Sequence, residues 1–169
     1  MTKLKTNNSK NAESKIILAG IVIAIIVLST MFIYSIVTLR EETFSSIGLL
    51  DENKTTNNYP DNVTRNVPFY LWVDVGNYQG NVNLYLINIT LGNENTTISK
   101  TAPSSSSAAF LKNYLIIVEN SHTRMQLINL SINVTANKQR LIFELWVYNP
   151  AIHNFEYLGL WVQIWINIL

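Results

Sequence analysis

The feature that most constrains this chain is an uncharged run, IILAGIVIAIIVLSTMFIYSIVTL, which extends over 24 residues from Ile16 to Leu39. At 1.5 Å per residue, a helix of this length crosses a hydrocarbon layer of about 30 Å. A lone segment in lipid satisfies its backbone hydrogen bonds only as a helix. The sequence therefore predicts one transmembrane helix over residues 16–39, with the lipid bilayer as its partner.

The charges on either side of this run predict its orientation. Residues 1–15 contain four lysines and one glutamate, whereas Arg40, Glu41 and Glu42 follow the run. The flank with the excess of lysine stays in the cytoplasm. We therefore expect a single-pass protein of the cell membrane, with a cytoplasmic basic segment over residues 1–15 and a C-terminal extracellular domain.

Two processed forms compete with an uncleaved anchor. A secretory signal has an apolar region of about 7–15 residues and a small-residue cleavage site, and this run is longer and lacks a good site. A pilin-type leader would be cleaved between Ala12 and Glu13. Lys15 stands where the apolar run of a pilin should already have begun. The uncleaved anchor is favoured, and a pilin-like filament subunit remains the alternative.

Composition excludes several classes of chemistry. The chain has no cysteine, which removes disulfides, thiolate nucleophiles and cysteine-ligated metals. A net charge of +1 gives no support for nucleic-acid binding, which needs a concentrated basic face. His122 and His153 each stand alone, outside any metal-ligand spacing. No metal or cofactor is expected.

Beyond the span, the pattern is that of an all-β domain. Residues 40–61 form a linker with a possible first strand at Ser46–Leu50. Short β-branched and aromatic segments, bounded by turn residues, then recur at intervals of about 8–12 residues. These are Phe69–Val75, Val82–Leu91, Phe110–Val118, Met125–Thr135, Leu141–Tyr148 and Tyr157–Ile168, with Thr96–Thr101 as a short edge strand. The pattern predicts an antiparallel immunoglobulin-like β-sandwich over residues 62–169.

The last segment, LGLWVQIWINIL, has no charge on either face. A central strand covered on both sides would explain this. Alternatively, the distal end of the strand packs against a partner protein or the membrane interface, where tryptophan is favoured. The residues expected in that partner surface are Trp161, Ile164, Trp165 and Ile166.

The acceptor pattern for N-glycosylation recurs beyond the span. It occurs at Asn53, Asn62, Asn88, Asn95, Asn129 and Asn133. Each is expected to be an exposed side chain, and N-linked glycans are expected among these sites. Asn7 also fits the pattern, but it lies in the segment expected in the cytoplasm and should stay unmodified.

Short motifs near both ends of the domain resemble those of a known family. Ile47-Gly48-Leu49-Leu50 and Asn58-Tyr59-Pro60 open the domain, and Leu141–Leu145 and Leu158-Gly159-Leu160-Trp161-Val162 close it. Over residues 44–163 the chain resembles the archaeal membrane-protein domain-of-unknown-function family numbered 1616. The resemblance implies a membrane-tethered sandwich in an archaeal cell and implies no activity.

Three functions follow as hypotheses. The first is a non-enzymatic interaction or accessory subunit of a cell-envelope or membrane complex, which would bind another membrane or envelope protein. The second is the pilin-like filament subunit. The third is a surface sugar-binding or hydrolytic domain, which would need stacking aromatics such as Tyr70, Trp72 and Tyr85 on one exposed face, or convergence of Asp74, Glu119 and Glu144, which are expected on strands. Solvent-facing strand carboxylates are far commoner, so an enzyme is not expected.

Overall fold

The computed structural model describes residues 4–38, 43–104 and 107–169, which belong to two compact units, residues 1–42 and 43–169. The first unit is a helix, α1, over Leu4–Thr38. Its stretch Glu13–Ile36 is long and apolar enough to cross a membrane. The helix begins well before the expected span because residues 4–19 contain no glycine or proline to stop it. Leu39, the expected end of the span, lies outside the described residues.

The second unit is an all-β sandwich, which confirms the predicted fold class. Its strands are β1 (Phe44–Leu50), β2 (Asn62–Val63), β3 (Phe69–Tyr78), β4 (Asn83–Gly92), β5 (Ala109–Val118), β6 (His122–Leu130), β7 (Ala136–Asn149) and β8 (Asn154–Ile168). A three-stranded sheet has the order β1-β3-β6, and a five-stranded sheet has the order β2-β8-β7-β4-β5. Neighbours are antiparallel except for the short β2–β8 pair.

The first strand lies within the segment expected as a linker. β1 pairs with β3 along its whole length, from Phe44 opposite Tyr78 to Leu50 opposite Trp72. The Tyr-Pro motif secures this strand, because the Tyr59 hydroxyl donates a hydrogen bond of 2.5 Å to the Leu49 carbonyl. The edge strand expected at Thr96–Thr101 is wrong. There the Ser99 hydroxyl accepts hydrogen bonds from the amides of Thr101 and Ala102, an arrangement that competes with strand pairing.

Alternating side chains of the two sheets form the core between them. On β3 and β4 every second residue is completely buried, as Val73, Val75, Tyr85 and Ile87 illustrate. β8 contributes Ile164, Ile166 and Ile168 to the same core. The intervening residues of each strand therefore face away from the core, and these two outer faces carry the candidate sites.

Candidate interaction site on the outer face of the five-stranded sheet

A buried carboxyl group lies in the middle of this face. Glu144 on β7 is 0% exposed and stands opposite Asn88 on β4 and Trp161 on β8. The Ser104 amide and hydroxyl donate to its Oε1 at 2.5 and 2.6 Å. Asn88 Nδ2 and Trp146 Nε1 donate to its Oε2 at 2.9 and 3.3 Å. We call these four residues, Asn88, Ser104, Glu144 and Trp146, the Glu144 cluster.

The cluster is buried because the connection between β4 and β5 folds over the sheet. The Ser104 hydroxyl lies 2.8 Å from Thr90 Oγ1, and Arg140 Nη1 donates to the Thr96 carbonyl at 2.6 Å. A carboxyl group removed from water is tolerated only when hydrogen bonds compensate it. The four donors do so, and the arrangement fits a structural role better than proton transfer, since no oxygen of Glu144 is exposed.

Gly159 allows this connection to approach the sheet. It has a φ of +69°, and a Cβ placed on it would lie 2.3 Å from the Lys100 carbonyl oxygen. β8 has an irregularity here, because Leu160 pairs with Leu145 while Tyr157 pairs with Trp146. The Leu-Gly-Leu-Trp-Val motif therefore has a local structural reason: only glycine combines this backbone conformation with so close an approach.

A pocket of about 390 Å³ opens beside the cluster. Its walls are mostly apolar and include Leu86, Phe110, Trp146 and Phe155, with the Asn88 amide among them. Nearby, burial and then the charge of Glu144 raise the pKa of the Tyr157 hydroxyl to about 12. The tyrosine therefore stays neutral at physiological pH.

Past the pocket, towards the sheet edge, the face is apolar and open. Leu86 pairs with Leu115 and Leu84 pairs with Ile117 across β4 and β5. Leu115 is 59% exposed and Ile117 is 56% exposed, while both leucines of β4 are half-buried. We call these four residues the open patch. The signal for it was present in the sequence: Tyr114–Val118 is an unbroken apolar run, so a strand there is either covered on both faces or exposes every second side chain to solvent.

The interface expected on β8 is only partly on the surface. Trp161 is half-buried opposite Glu144. Trp165 is 43% exposed, and the Arg140 guanidinium carbon lies 5.6 Å from its ring centroid. Ile164 and Ile166 are 8% and 1% exposed within the core, so their expected place in a partner surface is wrong. Neighbouring residues of a strand point to opposite faces, and the expected set mixed both.

Exposure divides the glycosylation motifs. Five of the asparagines are exposed: Asn53, Asn62, Asn95, Asn129 and Asn133. The exposure expected of Asn88 is wrong, because it is half-buried on an interior strand and its amide donates to Glu144. A glycosyltransferase must reach the amide nitrogen of the acceptor asparagine. In the folded domain, the amide nitrogen of Asn88 is hydrogen-bonded to Glu144.

The groups expected for the enzyme and sugar-binding hypotheses do not come together. Asp74 lies on the outer face of the three-stranded sheet and Glu144 on that of the five-stranded sheet, with the core between them. Glu119 is exposed and follows the end of β5, so its expected place on a strand is wrong. Tyr85 is completely buried and cannot stack on a ligand, whereas Tyr70 and Trp72 share the outer face of β3. Residues 13–36, 43–104 and 107–169 contain no group of three or more histidine or acidic side chains able to hold a metal ion.

No protein-family model matches the chain, and no curated protein matches it. The resemblance to the archaeal family therefore stays a prediction. Among solved structures, the chain is similar to the CARDB domain of a Pyrococcus furiosus protein in complex with di-metal ions, at 10% identity over 76% of this chain and 90% of that one, with a TM-score of 0.46. It is also similar to the C-terminal domain of Wzt, at 12% identity over 77% and 80%, with a TM-score of 0.46.

A third similarity is to a Listeria innocua β-glucosidase in complex with glucose, at 8% identity and a TM-score of 0.40. It covers 77% of this chain and 17% of the β-glucosidase. All three are similarities of fold.

Proposed function

We propose that this protein is a membrane-anchored interaction module, a non-enzymatic accessory subunit of a membrane or cell-envelope complex. Residues 16–39 are the anchor, residues 1–15 lie in the cytoplasm, and the sandwich lies outside the cell. The observation that carries the proposal is the open patch, where Leu115 and Ile117 are more than half exposed on one strand.

The chemistry of the patch supports binding to a protein. Its four members are aliphatic, and Phe110, which is 63% exposed, adds apolar surface farther along β5, beyond the exposed Asn113. Contiguous exposed apolar surface is unusual on a soluble monomer and marks interaction sites. Its position on an edge strand adds backbone groups to which another chain can dock, apart from the Ile117 carbonyl, which accepts a hydrogen bond of 3.1 Å from Arg124 Nη1.

The exposed glycosylation motifs are compatible with this surface. None of the five lies on β4 or β5, and the one motif on β4, at Asn88, is hydrogen-bonded to Glu144. Glycans at the exposed sites would leave the open patch free, and a glycan on Asn129 would cover only the end of the other outer face, beside Tyr70. This distribution favours a surface that must remain accessible.

The test is purification of the tagged full-length protein from its native membrane in mild detergent. We expect a partner at fixed stoichiometry with the wild-type chain and its loss when Leu115→Asp and Ile117→Asp are combined. Val67→Asp is the matched control, because Val67 is 51% exposed in a turn away from the patch. Retention of the partner by the double variant would rule out the open patch as its binding site.

The same preparation separates the anchor from a processed leader. An intact mass that includes residues 1–12 supports the uncleaved anchor. A mature chain that begins at Glu13 would instead support the pilin-like filament subunit.

A further inference from the structure

The outer face of the three-stranded sheet has a different character from the open patch. Asp74 lies at the centre of its middle strand, between Val73 and Val75, which point into the core with no exposure. Asp74 therefore points outward, with Gly48 of β1 and Met125 of β6 on either side of it. The residue as a whole is half-buried, and its Oδ1 atom is buried, so a partner group would approach the carboxyl group from its outward side.

The side chains on one side of Asp74 are apolar, and those on its other side are mostly polar. The apolar row is Leu50, Trp72 and Leu127, with Tyr70 beyond it opposite the exposed Asn129. The polar row is Ser46, Gly76 and Thr123. Met125 is 47% exposed, and Leu127 and Tyr70 are each 39% exposed. We call these six residues, Leu50, Tyr70, Trp72, Asp74, Met125 and Leu127, the Asp74 face.

Asp74 lacks the compensation that Glu144 has. Its Oδ1 is buried and accepts no hydrogen bond from any residue that the structure describes. Loss of contact with water raises the pKa of this carboxyl group. Lys54 lies over the Trp72 ring, 4.4 Å from its centroid, and the ion pair found among the described residues joins Lys138 to Glu94 instead.

We infer that the Asp74 face is a second docking surface, for a segment of another protein that places one lysine or arginine against Asp74 and apolar side chains around it. An unpaired buried acceptor is costly and rare in folded proteins. A cation from a partner would compensate it, and the surrounding apolar side chains would shield the pair from water and strengthen it.

The same charge argues against other occupants. An uncharged apolar segment or a lipid chain would bury the carboxyl group completely without a partner. A second copy packed face to face with the two-fold axis at Asp74 would bring two Asp74 side chains together, and like charges repel. Charge complementarity therefore favours a cationic segment of a different protein.

The test is photocrosslinking of the full-length protein in its native membrane. The photoreactive residue p-benzoylphenylalanine replaces Met125, beside Asp74, or Val67 as the control. We expect an adduct at position 125 with a peptide of another protein that contains lysine or arginine, and none at position 67. Asp74→Asn should lower the yield roughly tenfold or more, as expected for loss of a hydrogen bond to a charged group.

Four results would overturn the inference: no adduct at position 125, an adduct with lipid or a second copy, a captured peptide without a cation, or a yield unaffected by Asp74→Asn. The combined Leu115→Asp and Ile117→Asp variant should leave the adduct intact, which separates this surface from the open patch.

A second measurement identifies a purely structural role. Thermal unfolding of the purified full chain, free of partner, should show that Asp74→Asn raises the melting temperature, because the change removes an uncompensated charge. A lower melting temperature of the Asp74→Asn variant would mean that Asp74 stabilises the free domain. That result would contradict a role of Asp74 in binding a partner.

Discussion

Each of the two outer faces of the sandwich has one carboxyl group at the centre of its sheet. The two carboxyl groups differ in the hydrogen bonds that they accept. Glu144 is covered by the chain's own β4–β5 connection and accepts four hydrogen bonds. Asp74 has apolar neighbours, and its buried oxygen has no partner among the described residues. Since an uncompensated acceptor weakens the fold, the contrast separates a group that serves stability from one that serves recognition.

Among substitutions on the two outer faces, the largest effect is expected from Glu144→Leu. The substitution leaves the donors of Asn88, Ser104 and Trp146 without an acceptor, and breaking such a buried network costs about 3–5 kcal/mol. Denaturant unfolding of the full chain measures this cost. Glu156→Leu, at an exposed position of the next strand, is the control and should change stability by no more than about 0.5 kcal/mol. Equal losses for the two variants would remove the contrast between the faces.

The second largest effect is expected at Gly159, which allows the β4–β5 connection to lie over Glu144. Gly159→Ala should cost about 2–4 kcal/mol, because it adds a clash with the Lys100 backbone to the strain of a positive φ. Gly80→Ala is a matched control: its φ is +86°, and a Cβ there has nothing within 4 Å. The Gly159 variant should lose more unfolding free energy than the Gly80 variant, and the difference measures the effect of the contact with the Lys100 backbone. Equal losses would contradict that contact.

Asp74→Asn should act in the opposite direction. Burial raises the folded-state pKa of Asp74, so the wild-type protein loses stability as pH rises through that pKa. The asparagine variant escapes this loss and should be more stable at neutral pH, on the order of 1 kcal/mol after solvent screening. Melting curves at several pH values test the sign, since the advantage should disappear at acidic pH.

The smallest effect on stability is expected in the open patch. Leu115→Asp places a charge in solvent and should change the free energy of unfolding by no more than about 0.5 kcal/mol. Ile116→Asp, one residue away on the same strand, should prevent folding because Ile116 is 4% exposed in the core. If the protein folded with each of the two substitutions, Leu115 and Ile116 would not point to opposite faces of the sheet, as the open patch requires.

The sequence pattern was sufficient to predict those structural properties that depend on residues close in sequence. The apolar run predicted the helix, and the alternation of β-branched and aromatic residues predicted most of the strands. On β8 the alternation was visible as well, yet the expected interface combined Trp161 and Trp165 with Ile164 and Ile166, which face the core. The period of two already separates these pairs, so that error could have been avoided from the sequence.

The Glu144 cluster could not have been predicted in this way. Its donors lie 56, 40 and 2 residues from Glu144 and meet only through the β4–β7 register and the folded connection. The isolation of Asp74 is equally a property of the assembled sheet, since Met125 comes beside it through the pairing of β3 with β6. A single sequence contains neither register.

The sequence by itself determined the apolar helix, the all-β character of the rest and the absence of cysteine chemistry, because these follow from composition and short-range periodicity. Only the tertiary structure decided which carboxyl group is compensated, which glycosylation motif is occupied by a hydrogen bond and which apolar residues remain in solvent. Those properties depend on contacts between residues tens of positions apart, and such contacts exist only once the strands have paired and the two sheets have packed.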